Sequence, residues 1–126
     1  MGISWKTICV VADDMFFSSK IENTAKGLDI GVIKVKNCEE LLDKIEGETI
    51  DLVIIDLASR KIDAEKVFTE LKNSKKHGKV FCIGYLPHVE KELADKFREK
   101  GVDLVIPRSK FSREMSAIIK ENLKQQ

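Results

Sequence analysis

The sequence predicts an α/β protein: a three-layer α/β/α sandwich around a five-stranded parallel sheet. Three observations predict it. Thr7–Ala12 (TICVVA), Asp51–Asp56 (DLVIID) and Lys79–Gly84 (KVFCIG) are β-rich and almost wholly apolar, as expected of strands buried on both faces. Segments with helical apolar spacing separate them. The connections are short, and no linker, repeat or low-complexity tract interrupts the alternation, so residues 1–126 read as one domain.

The elements follow in order. Gly31–Lys36 (GVIKVK) alternates Ile33 and Val35 with Lys34 and Lys36, the pattern of an edge strand whose lysines discourage sheet-to-sheet association. Asp103–Ile106 (DLVI) supplies a short fifth strand. In Met15–Leu28, Phe17, Ile21, Ala25 and Leu28 share one helical face. Asn37 and Glu40 suggest a capped start for Cys38–Glu46, which carries Leu41, Leu42 and Ile45 and is followed by Gly47. Asp63 begins a helix bearing Val67, Phe68 and Leu71. Val89, Leu93 and Phe97 stripe a fourth helix that Gly101 ends, and Ser112 is the expected N-cap of a fifth, with Met115, Ile118, Ile119 and Leu123 inward. Trp5 is expected to pack at the lower sheet edge. Right-handed crossovers and an edge-like second strand favour the strand order 2-1-3-4-5.

Composition narrows the function. A formal net charge of +1 offers no global field to draw the chain onto nucleic acid or membrane, and the cluster Lys72, Lys75, Lys76 and Lys79 reads as solvated loop lysines. No apolar run approaches the about 20 residues that span a bilayer. The start of the chain lacks the pattern of a secretory signal. The three cysteines, Cys9, Cys38 and Cys82, have no CxxC spacing, and two of them sit inside apolar strands, which fits the reducing cytoplasm. There is no GxGxxG or Walker loop, no GxSxG elbow and no spacing that pairs a cysteine with a histidine, so enzyme signatures are missing.

The chemistry concentrates at strand ends. Asp13 and Asp14 follow the first strand and Asp56 ends the third, and the predicted order makes these strands neighbours at the topological switch point, where α/β proteins bind ligands. Carboxylates brought together there need a cation or a shared proton to offset their repulsion. Asp at the start of a helix also serves as its N-cap, and one of the pair is expected to do so. An acid after four apolar residues, as at Asp56, needs solvent or a partner such as Arg108 or Lys110. His88, after Pro87, lies at the same edge and could join a metal site, although a surface position in the first helical turn is the simpler expectation.

On VVADD at the first strand, DLVIIDLA at the third and GVDLVIPRSKF around the fifth, the chain resembles the receiver domain of response regulators, a CheY-like, flavodoxin-like fold, over nearly its whole length. The resemblance implies that Asp13 and Asp14 hold Mg²⁺ with Asp56 and the carbonyl of Ala58, and that Asp56 accepts a phosphoryl group. It also implies a two-component protein partner, either a histidine kinase or a separate output protein. Contact or homodimerisation would use the fourth helix, fifth strand and fifth helix.

Two positions depart from the receiver pattern. Gly84 stands where receivers end the fourth strand with Thr or Ser, and has no hydroxyl to contact a phosphoryl oxygen. Arg108 stands at the usual Lys position with Pro107 before it, and a planar guanidinium is not a compact ammonium. Tyr85, next to Gly84, is a candidate to fill the gap or to face a partner. The expectation is an atypical receiver, or pseudo-receiver, that relays signals by protein–protein contact. A metal-dependent enzyme or ligand-binding protein using the acids, and a non-phosphorylated adaptor, are the alternatives.

Overall fold

The structure, a computed structural model, describes residues 6–88 and 90–124. Its elements run β1 (Thr7–Val11), α1 (Met15–Gly27), β2 (Gly31–Val35), α2 (Cys38–Glu46), β3 (Leu52–Asp56), α3 (Ala64–Asn73), β4 (Phe81–Leu86), α4 (Lys91–Lys100), β5 (Leu104–Pro107), α5 (Arg108–Arg113) and α6 (Met115–Lys124). The five strands are parallel in the order β2-β1-β3-β4-β5, as the alternation predicts. Trp5 and Val89, which the sequence places at the lower sheet edge and in the fourth helix, lie outside the described residues.

Two apolar layers cover the sheet. On one face Cys9, Val11, Val53 and Cys82 pack with Leu41, Phe68 and Phe97 from α2, α3 and α4. On the other, Ile8, Val10, Ile54 and Ile83 pack with Phe17 and Ile21 of α1, Phe111 of α5 and Ile119 of α6. Strand residues alternate between these layers because successive side chains point to opposite faces. The central strands therefore have no polar face, which is why their sequences are continuous apolar runs. Burial pushes the free thiols of Cys9 and Cys82 up to about 12, leaving them inert small hydrophobes.

Local signals set the helix ends. Asn37 Oδ1 accepts from the Glu40 N–H at 2.8 Å, and the Glu40 carboxylate accepts from the Lys36 N–H, so α2 starts where the paired residues predict. Asp63 caps α3 through the Lys66 N–H. Gly101 ends α4 at φ 108°, a left-handed conformation that favours glycine. The edge strand β2 is tied down by Lys34, whose ammonium lies 3.0 Å from Glu22 of α1 and holds that carboxyl below its ordinary range.

Two boundaries differ from the sequence reading. β4 continues past Gly84 through Tyr85 and Leu86, because Asp56 pairs with Tyr85 and Leu86 with Pro107 in the parallel ladders. Gly84 is thus an interior strand residue. Ser112 is not an N-cap: the helix begins at Arg108, directly after Pro107, turns at Glu114 and continues as α6. Phe111, fully buried, draws that extra turn onto the core, and Ser112 takes a hydrogen bond from Lys20 of α1 instead.

Candidate functional site

The carboxyl ends of β1 and β3 bring Asp13, Asp14 and Asp56 to one edge of the sheet, where each carboxylate has a separate local engagement. Asp14 is the N-cap of α1: its Oδ1 accepts from the N–H groups of Phe16 at 2.9 Å and Phe17 at 3.3 Å. Its Oδ2 lies 3.6 Å from the Arg108 guanidinium. Asp13 points to Lys61, 3.7 Å away in the β3–α3 loop. Asp56 Oδ1 accepts from the Ala58 N–H at 3.0 Å, with the Ser59 N–H also favouring the carboxylate.

Arg108 ties the edge together. Placed by Pro107 at the start of α5, its guanidinium reaches back over the Phe17 ring, 5.9 Å from the centroid, between Asp14 and the field of Asp56. Partial burial raises the Asp56 carboxyl above its ordinary value, and the Asp14 charge adds to that rise. The Ala58 N–H and the Arg108 charge work against it.

In this arrangement the three carboxylates are engaged separately and do not converge on one point. Among the described residues, no group of three His, Cys, Asp or Glu side chains is placed to hold a metal ion. The physical reason is that one oxygen of Asp14 is spent on a helix terminus, Asp13 turns to a lysine, and Arg108 already supplies positive charge. His88 has an exposed side chain whose Nε2 faces Glu90 at 3.5 Å, so it sits on the surface as expected, but in the β4–α4 connection and not in the first turn of α4, which begins at Lys91.

A contrast between the two neighbouring acids follows. Asp14→Ala removes a two-donor cap and is expected to destabilise by about 1 kcal/mol, whereas Asp13→Ala breaks an exposed ion pair and is expected to change stability by no more than about 0.5 kcal/mol. Urea unfolding of the two variants checks the difference.

β4 supplies what the sequence reading did not foresee. A side chain at Gly84 would point into the α2–α3–α4 layer, and that space is taken: a Cβ there would fall 2.5 Å from Leu57 Cδ1 and 2.7 Å from its Cγ. Leu57, buried at 5% exposure, also donates its N–H to the Tyr85 carbonyl at 3.0 Å. The residue after Asp56 is therefore pinned to β4 from both backbone and side chain. Tyr85 faces the opposite layer, on the same sheet face as Ile54 and Asp56, and is 1% exposed between Phe17 and Phe111. The Asp13–Lys61 pair and the Leu57 packing left no sequence signal beyond the missing side chain at Gly84.

Comparison with known proteins agrees with the architecture. No protein-family model matches the chain, and no curated protein matches it. Solved structures do. A response regulator from Hahella chejuensis superposes with a TM-score of 0.83 at 19% identity, covering 94% of this chain and 95% of that one. A CheY-like receiver domain from Methanospirillum hungatei JF-1 gives 0.82 at 21% identity, covering 97% and 96%. The phosphorylated cyanobacterial phytochrome response regulator RcpA gives 0.84 at 16% identity, covering 98% and 97%. At these identities the likeness shows the fold: a flavodoxin-like, receiver-type sandwich that spans each compared chain almost completely.

Proposed function

We propose that the chain is a receiver-type signal-relay module that acts through contact with another protein, with Asp56 as the acceptor whose modification sets its state. The observation that supports this most is the setting of Asp56. It ends the central strand of a receiver fold, half-buried, within the field of the Arg108 guanidinium that pairs with Asp14, and its following residue is locked to β4.

In the reaction proposed, a carboxylate oxygen of Asp56 attacks the phosphorus of a small acyl phosphate. A new O–P bond forms, the bond from phosphorus to the acyl oxygen breaks, and the carboxylate leaves with the electron pair. No proton needs to move. Arg108, always protonated, offsets charge at the phosphoryl oxygens. The surface of α4, β5 and α6 is the proposed contact face for the kinase, an output protein or a second copy.

A second reading has its own observation. The acids already have local partners, Asp13 with Lys61 and Asp14 with Arg108, which favours an adaptor that works without phosphorylation. The metal-dependent enzyme lacks a donor group among the described residues.

Acetyl phosphate separates these readings. Wild type is expected to gain the mass of one phosphoryl group, and Asp56→Asn none. An unmodified wild type, with and without added Mg²⁺, removes phosphoacceptance and leaves the adaptor.

A further inference from the structure

The Tyr85 hydroxyl is buried and has no hydrogen-bond partner among the described residues. Its ring is held on two sides, by Phe17 at 4.7 Å and Phe111 at 6.0 Å between centroids, so the phenol is fixed rather than free to swing out. Phenylalanine would fill the same space without burying an unmet polar group, which is a penalised arrangement. The register places Tyr85 directly beside Asp56 on the same sheet face. The charges that act on the phenol are those of Asp56, Asp14 and Arg108, the groups of the acidic edge.

The nearby groups do not satisfy it. No oxygen of Asp56 or Asp14 is within hydrogen-bond reach of the hydroxyl, and Arg108 has only donors. A hydroxyl with an unused proton, on the sheet face that carries Asp56 and within the field of Arg108, is suited to an anionic oxygen brought to that face. Gly84 cannot make that contact, because its Cβ direction is toward Leu57 on the sheet face opposite Asp56.

We propose that Tyr85 is a specificity-determining residue of the Asp56 site, its hydroxyl donating a hydrogen bond to a tetrahedral anionic group carried on Asp56. Arg108 meets the same group from the α5 side. The proposal rests on the reading of Asp56 as the acceptor and adds the donor that β4 otherwise lacks. It also places the reporting residue on the α1–α5–α6 layer, because Tyr85 packs against Phe17 and Phe111.

The chain has a single tyrosine, so tyrosine labelled with carbon-13 at Cζ gives one signal that reports this phenol alone. The probe is beryllofluoride, a tetrahedral phosphoryl mimic, titrated into wild type, Tyr85→Phe and Asp56→Asn. Wild type is expected to saturate with a shift of the tyrosine signal, and Asp56→Asn to show neither. Tyr85→Phe is expected to bind about ten- to a hundredfold more weakly, the range for a hydrogen bond to a charged group. Its melting temperature without the probe is expected to be equal to or higher than wild type. Equal binding by Tyr85→Phe, or an unmoved tyrosine signal in saturated wild type, overturns the Tyr85 role and leaves Asp56 as acceptor. A lowered melting temperature for Tyr85→Phe shows that the hydroxyl has a structural partner, and also overturns it. Failure of wild type to bind at all defeats the Asp56 reading itself.

Discussion

Gly84→Thr is expected to destabilise the protein by about 1–3 kcal/mol, although threonine is the better strand former. The new Cβ would lie 2.5 to 2.9 Å from three carbons of Leu57, and Leu57 is packed among buried residues with little room to turn. Something in that layer must move. Leu57→Ala alone costs about 2–5 kcal/mol as a buried large-to-small change. In that background the added side chain enters the vacated space, so the penalty of Gly84→Thr is expected to fall by at least half. Denaturant unfolding of the four proteins in a double-mutant cycle measures the coupling. An equal penalty in both backgrounds contradicts the packing described.

Loss of stability below about pH 6.5 is the second large expected effect, and it comes from a residue far from the acids. His77 is 3% exposed in the α3–β4 loop, and its Nε2 accepts a hydrogen bond from the Ile50 N–H at 3.2 Å. Only neutral imidazole can accept there. Burial holds the His77 pKa below its ordinary value, with the Lys76 charge adding to the effect; the bond to the Glu48 backbone and the Asp51 carboxylate act in the opposite sense. Because the folded value is depressed, the contribution is complete above the unfolded value and is lost as pH falls toward and through the folded one. Chemical denaturation between pH 5 and 8 reads this directly. His77→Leu leaves the Ile50 N–H buried without its acceptor, is expected to lose about 1–3 kcal/mol at neutral pH, and should flatten the acid limb. His88→Gln, changing the only other histidine, is expected to leave that limb in place because His88 is exposed. An unchanged acid limb in His77→Leu would assign the pH dependence elsewhere.

The order of strands and helices was legible because burial on both faces leaves continuous apolar runs, and helices on a sheet show their inward stripe. Thr7–Val11 and Leu52–Asp56 are readable in this way, and so is Gly31–Val35 as an edge. A cap from the Asp13–Asp14 pair was legible from its position before an amphipathic segment, and the structure gives that role to Asp14. The end of β4 was not, since Tyr85 and Leu86 continue an apolar run whose length is set by pairing with β3 and β5. Local pattern contains no record of that pairing.

The site was legible as a location and less so as an arrangement. Asp13, Asp14 and Asp56 do reach one edge, because strand order dictates it. Which cation each acid meets depends on loop paths: Lys61 arrives from the β3–α3 loop, and Arg108 folds back over Phe17. Nothing in the spacing of those residues specifies either contact. His77 was hidden among Lys75, Lys76 and Lys79, where composition reads as solvated loop. Its burial arises from the meeting of two loops distant in sequence.

The most direct measurement of the central claim, that an anionic group on Asp56 is sensed by β4 and Arg108, is an amide NMR spectrum of the nitrogen-15 protein with and without beryllofluoride. Changes at Asp56–Ser59, Tyr85 and Arg108 that disappear in Asp56→Asn are the predicted result. A spectrum that does not change, or that changes equally in Asp56→Asn, would contradict it.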